Sequence, residues 1–131
     1  MNIINNLQKI IFEKLQNIKE NINIYSCSET NSPFPYVILN INKIEIENNF
    51  NNNIYSISLT MSVFDKNESN LNILNISNIV KSKLLELSNT KSNTFNIIDI
   101  NFNNLTIKIF NEINSIWNTN LNFNITLEQI I

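Results

Sequence analysis

From residue 55 to residue 63 the chain alternates without a break: Tyr55, Ile57, Leu59, Met61 and Val63 are apolar, and Ser56, Ser58, Thr60 and Ser62 between them are polar. Successive side chains of a β-strand point to opposite faces, so the stretch predicts a strand with one face in a core and the other in water. The period then changes. Asp65, Lys66 and Asn67 read as a turn, and Glu68, three residues after Asp65, is placed to cap the helix opening there by reaching back to a free amide. That helix should run over 70–87, burying Ile73, Ile76, Val80, Leu84 and Leu87. Strand, polar turn and helix over 54–87 make one packing unit.

The same helix carries a second apolar set, Leu71, Leu74 and Leu85, more than a quarter-turn from the first. One sheet does not cover both faces. Two explanations stand: surplus leucine from a biased composition, or a second partner, most simply another subunit. Composition bears on the choice, because asparagine is about a quarter of the chain and isoleucine about a fifth, as an A+T-rich coding bias produces. A single Asn or Ile therefore says little about its position.

Before the unit, Ile4, Leu7, Ile11, Leu15, Ile18 and Ile22 fall on one stripe of an amphipathic helix ending near Asn21, and 22–26 is a possible short strand. A polar loop over 28–32 leads through Pro33, Phe34 and Pro35 into a strand beginning at Tyr36. Its apolar parity changes from Val37, Leu39 and Ile41 to Ile44 and Ile46, which predicts a bulge near Asn42 and Lys43 or an arm leaving the sheet. Residues 48–53, with Phe50 among them, form the tip of a protruding hairpin, where Asn tolerates the left-handed backbone that Gly would otherwise supply. After the unit come Ile98, Ile100 and Phe102, then Leu105, Ile107 and Ile109, with Asn103 and Asn104 as a bulge or turn. A second clean alternation runs from Trp117 to Leu127. The expected class is α+β: one domain over residues 1–131, a mostly antiparallel sheet with two helices on it, in the order α, possible β, β, β, α, β, β.

The absences bound the chemistry. With no Gly there is no phosphate loop, dinucleotide fingerprint or nucleophile elbow. With no His the usual general base and commonest metal ligand are missing. The formal charge of −2, from 9 basic and 11 acidic residues with no Arg, gives no footprint for tight nucleic-acid binding. Asp65 and Glu68, with Asp99 or Glu112, are the nearest thing to a metal-binding set, but turn and helix-start roles already account for the first two. Glu45 and Glu47 share one strand face and read as charges that keep an exposed arm unpaired. Cys27 has no base to activate it and forms no disulfide framework. The Asn-x-Ser/Thr triplets at Asn67, Asn75, Asn104 and Asn124 are chance products of the composition. Nothing reads as a signal peptide or membrane span, and the expectation is a soluble intracellular protein that is no enzyme and holds neither cofactor nor metal. Asn49, Phe50 and Asn51 at the hairpin tip, and Trp117 at a strand end, are the candidate partner contacts.

Taken in order, the N-terminal helix, the segment bearing Tyr25, the lead-in Pro33, Phe34, Pro35, Tyr36 and Val37, the strand over 57–64, the helix over 70–87 and the alternating strand over 117–126 resemble the tail completion or tail terminator family of long-tailed bacteriophages, also carried by prophages and gene transfer agents. Where that family usually has Gly and Arg, around and along the last strand, this chain has Asn and Ser. The resemblance implies a structural ring, commonly of about six subunits, built from heterologous contacts. Such a ring sits at the head-proximal end of a tail tube, stops its polymerisation and joins it to a head-completion or connector protein. DNA passes through without specific binding, and the ring assembles in the host cytoplasm before taking its place in the virion tail. Leu71, Leu74 and Leu85 are then candidates for the subunit interface. A competing reading from another class is a small intracellular adaptor or immunity-type binding module.

Overall fold

In the computed structural model, which describes residues 2–16, 22–25, 33–48 and 53–130, the chain runs α1 (Asn2–Gln16), β1 (Asn23–Tyr25), β2 (Tyr36–Asn48), β3 (Asn53–Lys66), α2 (Leu71–Leu85), β4 (Phe95–Asn111) and β5 (Ile116–Gln129). The class and element order are those the sequence predicts. The strands form one sheet in the order β1-β2-β3-β5-β4, antiparallel except for β1, which runs parallel to β2. The most regular alternation therefore sits in the middle of the sheet, where both edges of a strand are paired and register is most tightly specified.

Tyr55, Ile57, Leu59, Met61 and Val63 of β3 pair across with Leu127, Ile125, Phe123, Leu121 and Thr119 of β5, and all ten are buried. Both helices lie over this face. α2 packs on β3, β5 and β4, while α1 packs on α2 and β1. Ile73, Ile76, Val80, Leu84 and Leu87 meet the sheet as the stripe requires, and Leu59, Val63, Val80, Leu84 and Phe123 share one core. In α1 the buried stripe is Ile3, Leu7, Ile11 and Leu15, with Ile4 half-buried beside it. Ile18 and the expected helix end near Asn21 lie outside the described residues, as do Cys27 and the loop over 28–32.

The parity change in β2 is a bulge. Its pairing with β3 shifts between Ile41 and Lys43, so that Ile41 faces Leu59 and, beyond the slip, Ile44 faces Ile57 on the same side of the sheet. β4 behaves likewise. It is a single strand of 17 residues with three irregularities, and of the two readings of Asn103 and Asn104 the bulge is the one found, between Phe102 and Asn104. A second bulge between Ile97 and Asp99 buries Ile97 and Ile100 and turns Ile98 outward, so Ile98 does not share the buried face with Ile100.

The predicted cap is also corrected. Asp65 lies inside β3, almost fully buried, where its Oδ2 accepts a bond from Asn72 Nδ2 at 2.8 Å. Glu68 is exposed and precedes the helix, and Asn70 at the N-cap makes no side-chain cap bond. Ser69 Oγ instead accepts from the Leu71 amide at 3.2 Å. Because β3 continues to Lys66, the turn lies later than the polar run suggests, and a serine takes up the free amide that a glutamate was expected to serve.

Candidate assembly surfaces

The second leucine set of α2 divides. Leu71 is 74% exposed in the first turn, whereas Leu74 and Leu85 are half-buried, and Leu85 packs against the core. Lys81 and Leu85, four residues apart, share one flank of α2, and the sheet reaches that flank through β4, while α1 lies along the other side. Lys14 of α1 donates to Glu86 Oε2 at 3.1 Å, and Lys83 approaches the same oxygen at 3.7 Å. The bond from Lys14 and then its charge, with the charge of Lys83 behind them, hold the Glu86 carboxyl below its usual range. On the opposite flank, Lys81 Nζ sits 4.3 Å from the centroid of the Phe102 ring in β4.

Trp117 is half-buried against the core and its Nε1 donates to the Asn67 carbonyl at 3.1 Å. The Asn67 amide in turn donates to the Ser115 carbonyl at 3.0 Å. Trp117 thus fastens the link between β3 and α2 to the turn between β4 and β5. Asn49, Phe50 and Asn51 lie outside the described residues.

The sheet face away from the helices was not singled out from the sequence. Asn42 Nδ2 donates to Thr60 Oγ1 (2.7 Å), Thr60 Oγ1 to Asn122 Oδ1 (2.7 Å), and Asn122 Nδ2 to Asn104 Oδ1 (2.6 Å), a directed chain crossing four strands. Ser58 donates to Asn124 Oδ1 at 3.0 Å and Ser62 to Asn120 Oδ1 at 2.7 Å on either side of it. The middle of this face is polar, uncharged and bonded to itself. At one end it becomes aromatic: Tyr36 stacks on Phe64 with centroids 5.0 Å apart, Phe34 and Tyr25 lie at 5.3 and 6.2 Å from Tyr36, and Phe110, 60% exposed, meets Phe64 edge-on at 5.3 Å. Burial pushes the Tyr36 phenol above its usual range.

This two-helix, five-strand arrangement has a known counterpart. It is similar in fold to a chain in the virion of a native gene transfer agent particle. The two share 12% sequence identity over 90% of this chain and 91% of that one, with a TM-score of 0.71. No family model and no curated protein matches the sequence. Among the described residues no three or more His, Cys, Asp or Glu side chains gather as metal ligands, and no helix is long and apolar enough to cross a membrane. Depressions on the surface, one between α1 and residues 92–94 and one between residues 66–68 and 113–115, are shallow and open. What the described surface offers is area for contact: the neutral face, the aromatic end, Leu71, and the two long edges of the sheet.

Proposed function

We propose that the chain, as one domain over residues 1–131, is a structural protein of a phage-like particle that forms a ring at the head-proximal end of a tail tube. The observation that carries this is the likeness in fold, over nine-tenths of both chains, to a component of a gene transfer agent virion. It agrees with the order of elements by which the sequence resembles tail terminators. The ring, of about six copies in heterologous contact, ends polymerisation of the tube protein and presents a surface to a head-completion or connector protein. It forms in the host cytoplasm and ends in the virion tail, with no chemistry of its own.

The neutral face is the natural lining of such a ring. Its serines, threonines and asparagines bond to one another and offer no row of cations to phosphate, so DNA passing over it would gain no counterion-release term and would slide. Leu71, the hairpin tip with Asn49, Phe50 and Asn51, and the aromatic end near Trp117 are left as surfaces for neighbouring subunits, tube or head.

The test is to polymerise the cognate tail-tube protein with and without this chain and measure tube lengths by negative-stain imaging. Capped tubes of restricted length, with a ring at one end, are expected. Tubes of unchanged length and uncapped ends, with the protein in solution as a monomer or simple dimer, would reject the terminator role and favour an adaptor-type binding module.

A further inference from the structure

The two edges of the sheet are complementary to each other. β1 covers only Tyr36, Val37 and Ile38 of β2, and a segment around Thr90 and Lys91 covers only the start of β4, through the Lys91 to Asn96 bridge and the Ile97 amide bonded to the Thr90 carbonyl. Beyond those points, among the described residues, no strand pairs with the outer edge of either one. Long unpaired edges are normally blunted by charge, bulges or proline, or are kept short. These two are long and have no proline, and though both carry bulges and charge, each also shows an exposed triplet of one charge between two isoleucines: Ile44, Glu45, Ile46 on β2 and Ile107, Lys108, Ile109 on β4, the isoleucines being 38–45% exposed.

We infer that β4 of one copy pairs antiparallel with β2 of the next, placing Ile107 across from Ile46, Lys108 across from Glu45 and Ile109 across from Ile44. Three observations carry this. The first is direction: β2, β3, β5 and β4 reverse three times, so β4 runs opposite to β2, and a copy rotated about an axis along the strands presents its β2 antiparallel to β4. The second is facing. Ile44 and Ile46 lie opposite Ile57 and Tyr55, and Ile107 and Ile109 lie opposite Thr119 and Trp117, so all four point to the helix side, while Glu45 and Lys108 point to the neutral side. The third is charge. Pairing β4 with β4 about this triplet sets Lys108 against Lys108, and pairing β2 with β2 sets Glu45 against Glu45, whereas the mixed pair sets opposite charges together. Lys43 already holds Glu45 Oε1 at 2.6 Å, leaving Oε2 for Lys108.

The bulges of β4 fit this use. They lie at Ile97/Asp99, Phe102/Asn104 and Ile109/Asn111, and leave the run from Asn104 to Ile109 in regular register. The triplets sit toward opposite ends of the sheet, since Glu45 lies across from Ser56 and Lys108 is in line with Phe64 through Asn118. Neighbouring copies are therefore displaced along the strands, and a sheet closed upon itself carries such displacement as strand tilt. The pairing deepens the ring reading and rests on it only for the closure of the assembly.

Charge reversal and cross-linking test it together, in full-length chain checked by circular dichroism. In light scattering over a concentration series, Lys108→Glu or Glu45→Lys alone should raise the concentration for half-assembly about tenfold or more, and the two together should restore it to within about threefold of the parent. In a Cys27→Ser background, Ile46→Cys with Ile107→Cys should give a ladder of covalent oligomers with a short thiol cross-linker. Each cysteine alone should give no dimer, and a mixture of the two single variants should give dimers only. Absence of rescue together with absence of the ladder, or an Ile107→Cys variant that cross-links to itself, overturns the pairing. Closed particles with both signatures that leave tube length unchanged would keep the pairing and reject the terminator role. An open fibre with both signatures would keep the pairing and reject the ring. Capped tubes without either signature would do the reverse.

Discussion

Among the described residues, two do the work that glycine does elsewhere. Asn89, after α2, and Ser115, closing the turn into β5, have φ of 68° and 53°. The left-handed region costs an L-residue about 1–2 kcal/mol, less for asparagine, whose side chain bonds locally. Ser115→Gly should therefore stabilise the protein by about 0.5–1 kcal/mol in urea unfolding, and Asn89→Gly by less. A second residue-scale case lies under α2. Ser77 Oγ gives its only proton to the Ile73 carbonyl at 2.7 Å, so in the 2.6 Å contact with Thr119 the threonine is the donor. Thr119→Val leaves Ser77 bonded and should cost about 0.5–1.5 kcal/mol, while Ser77→Ala strands a buried threonine hydroxyl and should cost about 1–3 kcal/mol. If the two single costs come out in the opposite order in thermal or urea melts, that donor assignment is wrong.

At the scale of elements, α2 depends on the sheet more than on its own ends, since Asn70 at the N-cap makes no side-chain cap bond and a single 3.2 Å bond from the Leu71 amide to Ser69 Oγ serves the first turn. Leu84→Ala should cost about 2–5 kcal/mol, as large-to-small changes in packed cores do. Leu85→Ser should also destabilise measurably, because that leucine packs on the core, whereas Leu71→Ser should leave the melting temperature within about one degree of the parent. Where α1 meets the end of α2, the depressed Glu86 carboxyl makes a signed prediction. Its stabilisation is complete above the ordinary glutamate pKa near about 4.3 and is lost as pH falls through the lower folded value. Glu86→Gln should then narrow the gap between stabilities measured at neutral and acid pH. Most of the architecture was legible at this scale. Alternation in β3 and β5 gave the sheet's centre, and the change of parity gave the bulge at Asn42. The cap at Asp65 was misread because a carboxylate buried inside a strand has the same local spelling as one opening a helix, and the exposure of Leu85 was misread because β4, which comes later in the chain, packs against α2 beside β3 and β5.

At the scale of the whole molecule, the sequence offered only fragments of the contact surfaces. Ile44 to Ile46 read as part of an exposed arm and Ile107 to Ile109 as ordinary strand residues until strand order sets them on the two edges, and strand order comes from long-range pairing that no local pattern encodes. The neutral face was hidden for another reason. Asn120, Asn122 and Asn124 looked like filler from a biased composition, yet they are bonded partners of Ser62, Thr60 and Ser58. That ladder contains no ionisable group, so nothing in its bonds is titrated by acid or screened by salt. Amide exchange in the middle of β3 and β5 should accordingly keep its protection between low and high ionic strength, while contacts made through Lys and Glu side chains loosen. The ring proposed above, with this face as its lining, would therefore present the same lining in dilute and in concentrated surroundings.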